Sequence, residues 1–168
     1  MEKLHVFGAQ EKDIPEIAGI LTDATIYKVS QGDKIWGETG WSEAEVKNCM
    51  AESDTYLVKQ DDETVGTVSL QWQDERVWGQ QSQDAGYMHR LAVKHGYHGQ
   101  NLGEQIINWV ASKVAEQGKE LLRLDCPEDN EALCKYYEAQ GFIKVGSKKI
   151  PEYDDHNEVS VALFERRL

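Results

Sequence analysis

The sequence predicts an α/β architecture: a mixed sheet of about seven strands with helices on both faces. Three observations predict it. Runs of alternating or continuous apolar residues are interleaved with stretches whose apolar residues recur every three or four positions, in the order β-α-α-β-β-β-α-β-α-β-β. Glycine, proline and capping residues punctuate the junctions. The 168 residues, 40% apolar and 29% charged, suffice for one self-supporting core and show no sign of disorder. No repeat or linker interrupts them, so a single domain spanning residues 1–168 is expected.

Taken in order, Leu4 to Phe7 is a short strand. A helix then opens behind Asp13 and Pro15, both favourable at a helix start, and carries Ile14, Ile17, Ala18, Leu21 and Thr25 on one stripe to about Val29. Ser42 and Glu45 form a capping box ahead of a second helix, Glu43 to Ala51. Tyr56 to Lys59 and Thr64 to Gln73 read as a hairpin turned at Asp61 and Asp62. After the polar connection Gln80 to Gln83, the segment Gly86 to Val93 is a further strand. From Asn101 to Gln117 a helix aligns Leu102, Ile106, Trp109, Val110, Lys113 and Val114, and Gly118 stops it. Glu120 to Asp125 is a buried strand ended by Pro127. Asp129 or Asn130 caps a helix to about Ala139, Gly141 terminates it, and Phe142 to Gly146 and Val159 to Phe164 complete the sheet.

Composition excludes several functions. A net charge of −12 works against nucleic acid, whose binding depends on Lys and Arg displacing counterions from phosphates. The same charge suits solubility and also steers cationic substrates such as amines. No apolar run approaches the roughly 20 residues of a membrane span, and Met-Glu-Lys-Leu-His lacks the features of a signal peptide. The three cysteines, Cys49, Cys126 and Cys134, have no CxxC spacing. They read as reduced thiols of a cytoplasmic protein, with no metal site expected.

The segment most informative about chemistry runs from Met88 to Gly103, Met-His-Arg-Leu-Ala-Val-Lys-His-Gly-Tyr-His-Gly-Gln-Asn-Leu-Gly. A strand there enters a glycine-punctuated loop that opens directly onto a helix. Unpaired backbone N–H groups collect at such a junction and suit an anionic phosphate group. Gly96, Gly99 and Gly103 leave room for a ligand's oxygens. The endings of a nucleoside-triphosphate loop and of the dinucleotide fingerprint are both missing.

His89 lies two residues before Leu91, on the same side of its strand. An imidazole, with an ordinary pKa of about 6.5, suits a general base at neutral pH. A histidine satisfied beside the core is the structural alternative. Asp84, Glu75 and Glu38 stay open as bases acting through water. Trp36, Trp41, Trp72 and Trp78 suit a pocket for a cationic or aromatic substrate, and equally suit packing or a dimer contact.

A second segment, Leu122-Arg-Leu-Asp-Cys-Pro-Glu-Asp-Asn-Glu-Ala-Leu-Cys-Lys-Tyr-Tyr-Glu-Ala-Gln-Gly-Phe142, accompanies the first. Together the two resemble the GNAT superfamily of acyl-CoA-dependent N-acetyltransferases. The first matches its strand-loop-helix signature, and the second its Asn, Ala-Leu, Tyr-Tyr-Glu and Gly-Phe run. The resemblance is strongest over Gly86 to Gly146. Two positions depart from the pattern: His98 stands where the family has Arg or Gln, and Asn101 where it has its middle glycine.

The resemblance implies a GNAT-like fold, splayed between the fourth and fifth strands by a bulge. It implies acetyl-CoA as cosubstrate and direct transfer of the acetyl group to a primary amine in a ternary complex. Cofactor contacts then fall on the backbone of Leu91, Ala92 and Val93, on the loop and helix start His98, Gly99, Gln100, Asn101, Leu102, Gly103 and Glu104, and on Asn130. Tyr137, four residues before Gly141, becomes the general acid at the departing thiolate. An N–H near Val93 becomes the oxyanion donor, and Trp36 and Trp41 sit where the family forms its acceptor site, with Trp72 a further acceptor candidate by residue type. A small-molecule amine is the leading acceptor, a protein or peptide amine the second, and a CoA-binding sensor or scaffold without turnover a third reading. Many members of the family form homodimers.

Overall fold

The computed structural model describes residues 3–151 and 158–168. Its elements are β1 (Leu4–Gly8), α1 (Ile14–Ser30) behind a single 3-10 turn, α2 (Glu43–Glu52), β2 (Asp54–Gln60), β3 (Glu63–Gln71), α3 (Glu75–Trp78), β4 (Ala85–Val93), α4 (Leu102–Glu116), β5 (Leu121–Pro127), α5 (Glu131–Ala139), β6 (Ile143–Pro151) and β7 (Glu158–Arg167). The seven strands form one sheet in the order β1-β2-β3-β4-β5-β7-β6. Only β4 and β5 run parallel to each other; every other neighbouring pair is antiparallel.

Alternation along each strand sends neighbouring side chains to opposite faces, and β2 shows it plainly. Leu57 joins the cluster formed by Ile17, Leu21 and Val46 from α1 and α2. Val58 joins the larger cluster that packs Ile106, Val110 and Val114 of α4 against the sheet. Tyr137 and Cys134 of α5 pack against this second cluster, so α4 and α5 share one face and α1 and α2 the other.

Three differences from the sequence reading have physical causes. The third strand stops at Gln71, not Gln73, because Asp74 accepts from the Val77 amide (3.3 Å) and starts the one-turn helix α3, which was not foreseen. β6 runs on to Pro151, well past Gly146. It is an edge strand paired only to β7, with Ile143 and Val145 exposed, so no buried alternation marked its length. The start of α4 shifts from Asn101 to Leu102, with Asn101 as a left-handed N-cap at φ 56°.

Candidate active site

The site originates in a defect of pairing. On β3, Ser69 faces His89 and Thr67 faces Ala92, so Arg90 and Leu91 together oppose Val68. This bulge puts Arg90 at φ 52°, a left-handed conformation that costs a side-chain-bearing residue about 1–2 kcal/mol. The Arg90 guanidinium donates to Ser53 Oγ at 3.2 Å. On its other edge β4 pairs with β5 only at Ala85–Leu121, Gly86–Leu122 and Tyr87–Arg123. Arg123 clamps that closed end, donating to Tyr87 Oη (2.9 Å) and Glu165 Oε2 (2.8 Å). Beyond it β5 stays in register with β7 while β4 departs, and a wedge opens.

Lys94 donates its amide to Val65 O on β3 (2.8 Å). By antiparallel alternation Ala92 also turns its main chain to β3, whereas Val93 presents its N–H and C=O to the edge that β5 has left. Ala92 is thus committed to the sheet, and Val93 faces the wedge.

A cavity of about 820 Å³ fills the wedge and reaches under α2 and the α1–α2 loop. His89, Leu91, Tyr137, Trp36 and Trp41 all line it. The indoles of Trp36 and Trp41 meet edge to face, centroids 6.1 Å apart at 90°. Trp41 is fixed to α1 by its Nε1, which donates to Thr25 Oγ1 (3.1 Å), and Lys28 Nζ lies 4.9 Å from the Trp36 ring. Tyr137 packs against Phe142 and Phe164, and burial pushes its hydroxyl well above the ordinary phenol range. The phenol is therefore protonated at any physiological pH.

Two carboxylates that the sequence reading did not single out share the cavity. Asp74 Oδ2 lies 3.1 Å from His89 Nε2. Burial would raise Asp74, but the neighbouring imidazole, the Val77 amide and Arg76 outweigh it and hold the carboxyl below its usual range. Asp125, on β5, is pushed up to about 6 by burial and by the charge of Asp74, with His89 and Arg76 opposing the rise. A charged residue inside the apolar run Leu121 to Pro127 was the available signal for Asp125. The lining includes five acidic side chains (Glu45, Glu52, Asp74, Glu75, Asp125) against three basic ones (Lys28, Arg76, Arg90), and Lys28 is already paired with Asp33 at 2.9 Å. The cavity favours a cation.

The glycine loop lies outside the cavity. Gly96 (φ 93°) and Gly99 (φ 85°) occupy left-handed conformations with open space where a Cβ would stand. Asn101 adopts the left-handed region as well, with no side-chain cap. The first bond inside α4 runs from Gln105 N to Asn101 O (3.1 Å), so the amides of Leu102, Gly103 and Glu104 point out of the helix start, beside exposed His98, Gly99 and Gln100. Gly103 differs from the expectation: the space above it is taken by the Tyr136 hydroxyl.

Three further residues stand apart from the cavity. Trp72 lines a separate depression of about 170 Å³ and donates Nε1 to Asp54 Oδ2 (3.1 Å). Trp78 is buried against Tyr87 and Arg123. Asn130 uses its Oδ1 to cap Leu133 N and its Nδ2 to reach Asp33 Oδ2, both at 3.1 Å. Of the alternative bases, Glu75 lines the cavity, while Glu38 pairs with Lys34 (2.8 Å) and Asp84 lies 4.0 Å from Arg123.

A wedge between parallel neighbours, with a bulged strand on one bank and an open helix N-terminus at its mouth, is the layout that the sequence resemblance implied. Residues 24–142 match the acetyltransferase (GNAT) family, and the chain belongs to it. The uncharacterized N-acetyltransferase YesJ of Bacillus subtilis (strain 168) is 26% identical over 144 residues, covering 81% of this chain and 79% of YesJ. Among solved structures, a GNAT-family acetyltransferase of Listeria monocytogenes superimposes with a TM-score of 0.78 at 22% identity, covering 98% and 95% of the two chains. YncA of Salmonella typhimurium, solved with its cofactor acetyl-CoA, gives 0.70 at 13% over 98% and 94%. A ribosomal-protein-alanine N-acetyltransferase of Brucella melitensis gives 0.74 at 16% over 98% and 99%. At these identities the structures speak for the fold, which is the one the sequence resemblance implied. Among the described residues no helix is long and apolar enough to cross a membrane.

Proposed function

We propose that this protein transfers an acetyl group from acetyl-CoA to the primary amine of a small cationic molecule, by direct attack within a ternary complex. The observation that carries the reading is the loss of β4–β5 pairing past Tyr87, with His89 and Tyr137 lining the space so opened. The exposed amides at the start of α4, with open glycine positions before them, fit a diphosphate. The free edge at Val93 fits the amide groups of a pantetheine arm laid beside β4 as an extra strand. Bound there, acetyl-CoA supplies the thioester carbonyl.

The chain's own groups then divide the work. His89 takes the proton of the acceptor ammonium, and the ionised Asp74 beside it favours the charged imidazole that results. The Val93 N–H is the oxyanion donor, a role worth roughly 10²–10³ in rate. Tyr137, kept neutral by burial, donates its proton to the departing thiolate. The excess of carboxylates and the Trp36–Trp41 pair draw and hold a cation. Asn130 holds α5, and Tyr137 with it, through the cap and the Asp33 bridge.

Calorimetry with acetyl-CoA, followed by a thiol-release assay over polyamines, amino acids, aminoglycosides and peptides with free N-termini, tests the proposal. Turnover concentrated on small cationic amines is the expected result. Turnover on peptides alone would move the acceptor to proteins, and binding without turnover on any amine would make the chain a CoA sensor.

A further inference from the structure

We propose that Asp74, His89 and Asp125 form a binding site for a divalent transition-metal ion of the zinc type, on the wall of the acceptor cavity. Three separate elements deliver the donors: the turn before α3, β4 ahead of its bulge, and β5 where it has parted from β4. One ligand atom from each residue lies within 4.8 Å of the other two. The expectation of no metal site rested on cysteine spacing, and these residues, 15 and 36 positions apart in the chain, carry no sequence pattern of their own.

The strongest sign is unsatisfied capacity. The Asp74 side chain is only 7% exposed, and its Oδ1 is held by the Val77 amide at 3.3 Å. That leaves Oδ2 buried against the His89 imidazole, Nε2 at 3.1 Å, and neither atom has a further hydrogen-bond partner among the described residues. Buried polar atoms rarely remain unpaired, and a pair converging on a common point is relieved by a cation placed between them. Ligands about 2.0–2.2 Å from zinc sit roughly 3–3.5 Å from one another. The Asp74–His89 separation already meets this, and Asp125 places a carboxylate oxygen within 4.8 Å of both.

Donor chemistry selects the class of ion. One imidazole with two carboxylates suits zinc or its neighbours, whereas calcium and magnesium prefer oxygen alone. Cys126 lines the same cavity, but its thiol meets Cys134 Sγ at 3.6 Å and is not one of the three converging donors. Arg76 is a cation whose charge acts on both aspartates; it is exposed, and its guanidinium donates to Pro151 O at 3.4 Å. With both aspartates ionised, the group remains net negative. Three protein ligands leave a coordination position open to the cavity.

The binding claim stands independently of the proposed function. Its consequence rests on it: an ion on Nε2 removes the imidazole from proton transfer, so zinc inhibits acetylation in competition with the amine.

The test is titration of the full-length, chelator-stripped chain with zinc chloride by calorimetry, with cobalt(II) absorption as a second probe of the ligand field. One ion per chain is expected, with affinity falling about 100-fold or more in His89→Ala and in Asp125→Asn. Because Asp74 also caps α3, Asp125→Asn is the deciding variant, its folding checked by circular dichroism. Absence of stoichiometric binding, or zinc affinity unchanged in both variants, overturns the site. Zinc that binds with the expected variant losses yet leaves turnover untouched supports the site and removes His89 as the base.

Discussion

Asn130 donates its side-chain amide to Asp33 across 3.1 Å, joining residues 97 positions apart on the two banks of the cleft. Asp33 follows α1, which packs beside β4 through the cluster containing Ala92, and Asn130 opens α5 beyond β5. The same buried carboxylate holds Lys28 Nζ (2.9 Å) and the Ile35 amide (3.1 Å). Asn130→Ala removes both a cap and the bridge. Loss of the cap costs about 1 kcal/mol, a fall of about 2–4 °C in Tm for a chain of this size. Asn130→Asp separates the two roles: it keeps a cap acceptor and sets a second carboxylate against Asp33. If the bridge positions α5, Asn130→Asp retains most of the stability and raises the KM for acetyl-CoA, as measured by melting curves and steady-state kinetics.

Tyr137→Phe deletes only a hydroxyl, and the ring keeps its contacts with Phe142 and Phe164. A general acid acting on the leaving group is needed in the transition state and not for binding. The expected result is a kcat lower by about 10²-fold, with acetyl-CoA affinity nearly unchanged. Thiol-release kinetics beside calorimetry read the two quantities, and an unaltered kcat removes the acid role.

His89→Gln keeps the size and polarity of the side chain while abolishing its basicity. A drop of about 10²-fold in kcat/KM follows. Asp74→Asn keeps the Val77 cap acceptor and removes the charge 3.1 Å from the imidazole. The value of kcat/KM then falls, since the ring that takes the proton during the reaction has lost its counter-charge. An unchanged kcat/KM for Asp74→Asn would confine Asp74 to capping α3.

Asp125 makes stability depend on pH in the direction opposite to most carboxylates. Its carboxyl titrates at about 6 in the folded chain, against about 3.9 for an unperturbed Asp. Between those values the folded state holds a proton that the unfolded state releases, so stability falls as pH rises from about 4 to 6 and then levels. Two pKa units correspond to about 3 kcal/mol at most. Asp125→Asn cannot ionise; its stability relative to wild type rises between pH 4.5 and pH 7.5, read from denaturant melts in metal-free buffer. A difference that stays flat across the range would show that Asp125 does not titrate in a buried setting.

What the chain disclosed in advance follows from how local each feature is. The Ser42–Glu45 box opens α2 with both reciprocal bonds, Ser42 N to Glu45 Oε2 (2.7 Å) and Glu45 N to Ser42 Oγ (3.1 Å), and Gly118 and Gly141 stand at positive φ past the helix ends. Such signals act within four residues. The bulge at Arg90 is a property of register between β3 and β4, and nothing in Met88 to Val93 marks which residue is the extra one. Asp74 and Asp125 meet only because β4 and β5 separate, so their partnership had no linear trace. Trp72 suited an acceptor pocket by residue type alone; its indole instead donates to Asp54 and lines a separate depression, a placement that depends on the pairing of distant residues.

His98 is the clearest departure from the family pattern, and its surroundings say what replacement should do. The residue is exposed, its ring centroid 6.3 Å from that of exposed Tyr27, and it stands at the beginning of the loop whose amides the proposed diphosphate would meet. A neutral imidazole offers one N–H there, a guanidinium five and a permanent charge. His98→Arg should therefore tighten acetyl-CoA binding by roughly 3- to 10-fold, the range of an exposed charge pair worth about 1 kcal/mol. The gain should shrink between 50 and 500 mM salt, because a contact at the surface is screened. Calorimetry at the two salt concentrations measures both. A tightening that ignores salt would assign the effect to packing against Tyr27, and no tightening at either concentration would place the side chain on the far side of the loop from the phosphates.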